Sequence, residues 1–374
     1  MKLFDVYPLY NVTPVSAKGI VVTDDKGQDY LDFYGGHAVI SIGHTHPHYV
    51  QRLKDQLDKI GFYSNAVQNP LQEELAEKLG VISKCEDYNL FMCNSGAEAN
   101  ENALKMASFA TGKSKIIAFN NGFHGRTSAA VAVTDNPSIN AEINQQHEVV
   151  FLDLNDIKGF EREISKNVCA VIIESIQGVG GLDEPTTEFS QKVAALCKEN
   201  DALLIADEVQ SGFGRSGKFF GFQHHNIQPD IISIAKGMGN GFPVGGVLIH
   251  ENIKAKYGML GTTFGGNHLA CVATLAVLEV IENENLIANA EELGIYFNEK
   301  AKEIPQVKRV KGKGLMLGLE FDFQVADLRK KLIHEHHLFT GGAKDKTVLR
   351  VLPALNITTQ DLDVFFTALK TALS

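Results

Sequence analysis

The chain has 374 residues, 44% hydrophobic and 21% charged, the composition of a globular protein long enough for two domains around a large core. A formal charge of −10 and a pI near 5.7 argue against a nucleic-acid surface or an anionic membrane partner. No apolar leader opens the chain and no stretch reaches the roughly 18 apolar residues of a membrane helix, so a cytoplasmic protein is expected, its five cysteines being reduced core thiols.

In chain order, Gly19 to Phe33 reads as a small antiparallel element turning at Asp25-Lys-Gly27. The middle of the chain alternates. Leu90–Cys93, Lys115–Phe119, Val149–Leu152, Ala170–Ile173, Ala202–Ala206, Asp230–Ile234 and Gly246–Ile249 are short strands, apolar on both faces. Amphipathic segments such as Glu98 to Ala110 and Thr187 to Asn200 separate them. This is the α/β pattern of a mostly parallel sheet covered by helices. From about residue 267 the chain turns helical (His268 to Glu282, Leu286 to Ile304); strands Leu315 to Phe321 and Thr347 to Leu352 and a last helix follow. The expected division is a large domain over 51–264 and a smaller α+β domain built from 1–50 and 265–374.

Two runs carry the chemistry. Lys236 follows the apolar strand Asp230–Ile234, and Asp207 ends Leu203-Leu-Ile-Ala206 upstream. An amine and a carboxylate at strand ends suit pyridoxal phosphate: the amine forms a Schiff base, and the carboxylate keeps the pyridine nitrogen protonated. Asn94-Ser-Gly-Ala-Glu98 ends a strand and opens a helix, Ser95 and Glu98 having capping-box spacing. Gly96 lets a ligand approach free N–H groups, so this is a phosphate site as well as a helix cap; beside Asp207 and Lys236 the phosphate reading is favoured. In Asn121-Gly-Phe-His-Gly-Arg126, Phe123 suits stacking on a flat cofactor and Arg126 a bidentate carboxylate, against the plainer reading of a solvated loop.

Other runs imitate motifs. Gly212-Phe-Gly-Arg-Ser-Gly217-Lys218 resembles a dinucleotide or P-loop signature, but Phe219-Phe-Gly-Phe does not open the helix that both require. His44, His46 and His48 surround Pro47 without a cysteine or carboxylate cluster, so no metal is expected. His334, His336 and His337 read as a solvated helix face.

Tyr30–Phe33, Gly43–Pro47, Asn94–Glu101, Phe123–Arg126, Ile176–Gly178, Asp207–Gly217, Ala235–Gly237, Thr262–Asn267 and Leu349–Pro353, in that order, resemble the class III pyridoxal-phosphate aminotransferases of fold type I, most of all the acetylornithine type. The resemblance covers nearly the whole chain. It implies that Lys236 binds the cofactor and shuttles the proton, Asp207 pairs with the ring nitrogen, Gln210 reaches the phenolic oxygen, and Phe123 and Val209 sandwich the ring. It assigns the phosphate to Ser95, Gly96 and Ala97, with Thr263 supplied by the second subunit of a homodimer. Arg126 and Arg350 would bind the carboxylates of an N-acylated ornithine and of 2-oxoglutarate or glutamate, with Tyr10 and His37 near the substrate. The nearest rivals are an ornithine or 4-aminobutyrate aminotransferase and a glutamate-semialdehyde-type aminomutase, which needs no external keto acid. Three departures stand out: Ser175 where proline is common, Tyr34-Gly-Gly-His37, and Val179 where family members often carry a glutamate that masks the second arginine. Val179 has no charge to offer Arg350. An unmasked Arg350, able to meet a second acidic group on the donor, is therefore expected; N-succinylornithine has such a group and N-acetylornithine does not.

Overall fold

The seven apolar runs pair into one sheet. In the computed structural model, which describes residues 1–374, the strand order is Tyr88–Cys93, Gly245–His250, Ile231–Ile234, Leu203–Asp207, Val168–Glu174, Lys115–Phe119, Val149–Leu152. Gly245–His250 is antiparallel to both neighbours; the pairs from Ile231–Ile234 onward are parallel. Successive residues of each strand face opposite sides. Ile116 and Ala118 join a core with Ala99, Ala103 and Ala107 of helix Gly96–Thr111. Ile117 and Phe119 face Phe160 and Phe189, from helices Ile157–Glu163 and Thr187–Glu199. Two covered faces explain why these strands show no polar alternation.

The N-terminal element has one strand more than expected: Pro14–Lys18 joins Val21–Asp24 and Asp29–Asp32, and Leu338–Phe339 adds in parallel at its edge. Late in the chain, Arg309–Lys313, Met316–Glu320, Val348–Val351 and Gly341–Gly342 form a third sheet. Arg309–Lys313 reads Arg-Val-Lys-Gly-Lys, with no apolar alternation to announce it, and the two-residue strands are too short for a period. Helix His268–Asn283 is buried along most of its length and packs against helices Pro47–Leu57 and Pro70–Ser83. No helix is long and apolar enough to cross a membrane. All five cysteines are buried and unpaired.

The Gly212–Gly217 run is a structural knot. Arg215 is only 2% exposed, and its guanidinium donates to the carbonyls of Ile40 and Leu315, each at 3.2 Å, and of Pro353. His44, His46 and His48 each meet a different carboxylate: Asp32, Glu284 and Glu279. The solvated face assigned to the late histidines needs correction. His334 is exposed, but Nε2 of His336 and Nδ1 of His337 are buried, and the His337 ring packs edge-on against Tyr30 at 5.3 Å. His337 ends helix Ala326–His336 in a left-handed conformation, which turns its ring inward.

Candidate active site

Parallel strands bring their carboxyl ends to one edge, where the loops leave room for a ligand. Here Ser95, Phe123, Arg126, Glu174, Asp207 and Lys236 line one cleft of about 450 Å³. The register explains the grouping: Glu174 stands opposite Asp207, and Asp207 opposite Ser233, each at or near its strand end.

Asp207 is 4% exposed and fixed on three sides. Its Oδ2 accepts from Asn100 Nδ2 at 2.8 Å and His124 Nδ1 at 2.7 Å, and Oδ1 accepts the Val209 N–H at 3.0 Å. Ser233 in turn donates to Asn100 Oδ1 at 2.5 Å. Burial works against charge on His124, but the hydrogen bond and charge of Asp207 prevail and its pKa is raised. Lys236 follows strand Ile231–Ile234 in a left-handed turn with φ +46°. Burial lowers its pKa; Asp207 and Glu174 oppose this and Arg350 adds to it.

Ser95 is the N-cap of the helix Gly96–Thr111, its Oγ accepting the Glu98 N–H at 3.2 Å. The expected box is shifted by one residue, because Glu98 Oε2 accepts from the Asn94 N–H at 2.8 Å. A Cβ on Gly96 would lie 2.6 Å from Val209 Cγ1, so the close seat of Val209 on the helix start needs glycine there.

Phe123 lines the cleft, and its N–H is held by Glu174 Oε1 at 2.9 Å. Arg126 is exposed at the rim and has no ion pair within the chain. Gln210 is 8% exposed, with Nε2 donating to His37 O at 3.1 Å and Oε1 left without a partner.

Other expected residues lie elsewhere. Thr263 is exposed and does not line this cleft; its neighbour Thr262 accepts from Asn94 Nδ2 at 3.3 Å. Tyr10 is 39% exposed and packs on His334 rather than in the cleft. The Val179 carbonyl accepts from the Lys344 N–H at 2.8 Å, and Val179 does not line the cleft. Arg350 is buried off the cleft wall with no carboxylate beside it, but its guanidinium is not without partners. It donates to Gly342 O at 2.6 Å, Gly178 O at 2.8 Å and the Tyr34 hydroxyl at 3.1 Å. His37 is exposed and contacts that same hydroxyl.

Sequence reasoning passed over Glu174, although it bears the signal that found Asp207: a carboxylate closing an apolar strand. His124 and Asn100 carried no separate signal, since their role exists only around Asp207.

These residues fit pyridoxal phosphate. A helix N-terminus whose Ser95 hydroxyl still has its proton to donate, and which lacks a Cβ at Gly96, suits the phosphate. A fixed buried carboxylate suits a cationic ring nitrogen, the unpartnered Gln210 amide oxygen suits a phenol, and a desolvated amine suits an aldehyde. Fold and cleft are those of a pyridoxal-phosphate enzyme of fold type I.

The comparisons narrow this class. The sequence model of the family described as Aminotransferase class-III matches residues 6–373. The chain is 40% identical to the acetylornithine aminotransferase of Bacillus subtilis, covering 100% of this chain and 97% of that one. Identity to the acetylornithine aminotransferase of Aquifex aeolicus is 39%, over 99% of both chains. Among solved structures, the ornithine aminotransferase of Toxoplasma gondii superposes with a TM-score of 0.90 at 28% identity, over 98% of this chain and 91% of that one. A Bacillus anthracis aminotransferase gives 0.91 at 27% identity, over 99% and 95%. The chain belongs to the class III aminotransferases and is a pyridoxal-phosphate-dependent transaminase.

Proposed function

We propose that this enzyme moves the δ-amino group of an N-acylated ornithine, the acetyl or succinyl derivative, to 2-oxoglutarate. The products are the N-acyl glutamate semialdehyde and glutamate, and the setting is cytoplasmic arginine biosynthesis. The reading is carried by the cleft shared by Lys236, Asp207 and unpaired Arg126, in a chain 40% identical to an acetylornithine aminotransferase. Bound pyridoxal phosphate supplies an aldehyde for the donor amine and a ring that spreads the electrons left by proton loss from the adjacent carbon.

The protein's part is to hold and to move protons. Ser95 and the N–H groups of Gly96 and Ala97 grip the phosphate, with Thr263 of a second copy closing it. Phe123 and Val209 flank the ring, and Gln210 meets its phenolic oxygen. Asp207 keeps the ring nitrogen charged; its lone pairs are already aimed by Asn100, His124 and the Val209 N–H, so little reorganisation accompanies the reaction. Lys236, its pKa lowered by burial, is the group placed to take the proton from the donor carbon and, as its conjugate acid, give the same proton back from the same face at the far end of the shift. Arg126 holds the α-carboxylate of the donor, which points the far amine inward, and Arg350 takes a carboxylate of the keto acid. The two substrates use the site in turn, so kinetics are ping-pong. The two-domain division at 51–264 belongs to the same reading.

The test follows the visible absorption of the bound cofactor as N-acetylornithine, N-succinylornithine or ornithine is added separately without keto acid. Rapid bleaching by an acylated donor is expected. Bleaching by ornithine alone moves the enzyme to the ornithine branch, and Lys236→Ala retaining ordinary turnover refutes the assignment of the amine.

A further inference from the structure

A buried guanidinium with no carboxylate must find other oxygens. Two of the three acceptors on Arg350 are backbone carbonyls, fixed by the fold. The third is a side chain. Nη2 donates to the Tyr34 hydroxyl at 3.1 Å, and the guanidinium lies 5.5 Å from the Tyr34 ring centroid, so hydroxyl and ring face both engage the cation.

Having accepted from Arg350, the phenol must send its own proton elsewhere, and it is in hydrogen-bond contact with Nδ1 of His37. Partial desolvation lowers the pKa of the His37 ring, and Arg350, Lys236 and Arg329 lower it further, which favours the neutral imidazole; its Nε2–H tautomer accepts at Nδ1.

The backbone is bent to make this meeting. Gly35, Gly36, His37 and Ala38 all have positive φ, between +55° and +70°, and the Ala38 N–H donates to Tyr34 O at 2.9 Å, closing a left-handed turn. Asp32 Oδ1 starts the turn by accepting the N–H groups of Tyr34 at 2.9 Å and Gly35 at 2.8 Å. A Cβ on Gly341 would lie 2.2 Å from Tyr34 Cε2, so glycine leaves the space the ring occupies. Such turns cost about 1–2 kcal/mol for each non-glycine residue and persist where the surroundings hold them.

We propose that Tyr34, latched by His37, is a reversible uncharged cap on Arg350: it satisfies the guanidinium while the amine donor is in the cleft and yields when a carboxylate of 2-oxoglutarate binds. The cap rests on the transaminase reading with 2-oxoglutarate as acceptor. A carboxylate displaces the phenol because it adds charge and a second oxygen to the same fork. Val179 has no carboxylate to do the masking, and Tyr34 is the one side chain that caps Arg350.

The experiment measures binding of glutarate, a dicarboxylate with no reactive carbonyl, to the cofactor-loaded protein by calorimetry. Alongside it, the KM for 2-oxoglutarate is compared with the KM for the donor. Tyr34→Phe keeps the ring and removes the competing hydroxyl. The glutarate Kd should fall roughly three- to tenfold, as expected for loss of a competing hydrogen bond to a charged group, and the KM ratio should fall in parallel. His37→Asn tolerates the left-handed backbone but loses the latch, and should act in the same direction by a smaller factor. A glutarate Kd that rises or stays constant in Tyr34→Phe overturns the cap. If that variant does not fold, His37→Asn alone decides on the same criterion. Wild-type protein inert toward 2-oxoglutarate sinks the acceptor reading and the cap together, whereas a normal wild type with an unmoved variant sinks the cap alone.

Discussion

A carboxylate that faces a substrate pocket takes its protonation state from its surroundings, and Asp207 and Glu174 stand in different ones. Asp207 is set among donors, including an imidazole whose charge it favours. Glu174, directly opposite in register, accepts the Phe123 N–H at 2.9 Å and the Gly178 N–H at 2.8 Å. Burial raises its pKa, and Asp207 adds to the rise while His124 and the two N–H groups oppose it; the outcome is about 7. A carboxyl whose folded pKa is raised contributes stability that is full below its ordinary value, 4.5, and is lost as pH climbs through about 7. Glu174→Gln is neutral throughout. The thermal midpoint of wild type relative to this variant should therefore be higher at pH 5 than at pH 8, and a difference constant with pH refutes the proton on Glu174.

Among elements, the strand ends around the cleft are tied from beneath. Glu208, next to Asp207, is fully buried, and its carboxylate accepts from Ser175 Oγ at 2.6 Å, Ser211 Oγ at 2.8 Å, and the N–H groups of Gly221 at 2.7 Å and Phe222 at 2.9 Å. Ser175, where relatives were expected to carry proline, thus joins strand Val168–Glu174 to the turn after Leu203–Asp207. Ser175→Ala leaves a buried carboxyl group one partner short and should cost about 1–3 kcal/mol. Urea unfolding should show a lower midpoint with an unchanged slope; an unchanged midpoint removes Ser175 from the account. The inner strands of the large sheet were legible because they are buried on both faces, and the edge strands Tyr88–Cys93 and Val149–Leu152 by their apolar runs although they are only half-buried. Arg309–Lys313 was not, because its partners and not its side chains make it a strand.

At the scale of the whole molecule, Thr263 is exposed and lies outside the cleft of its own chain. Beside it Phe264 is 61% exposed and meets Phe62, 44% exposed, with ring centroids 5.4 Å apart; Tyr63 is 58% exposed. A cluster of exposed aromatic rings next to a residue missing from its own cleft suits a second copy of the chain. Sedimentation should give a dimer for wild type, and Phe264→Glu should shift it toward monomer and weaken cofactor retention together. A dimer with normal retention in that variant means that this face is not the interface.

The sequence by itself determined the class of fold and the chemistry. Apolar strands of fixed spacing need two covering layers, and an amine, a carboxylate and a helix start at strand ends announce what they hold. Only the tertiary structure decided how Arg350 is satisfied, that Glu174 and His124 frame Asp207, and that Arg215 binds three distant carbonyls. Each of these is a relation between residues far apart in the chain. Periodicity records which face of an element is buried, but it does not record which side chain waits on the other side.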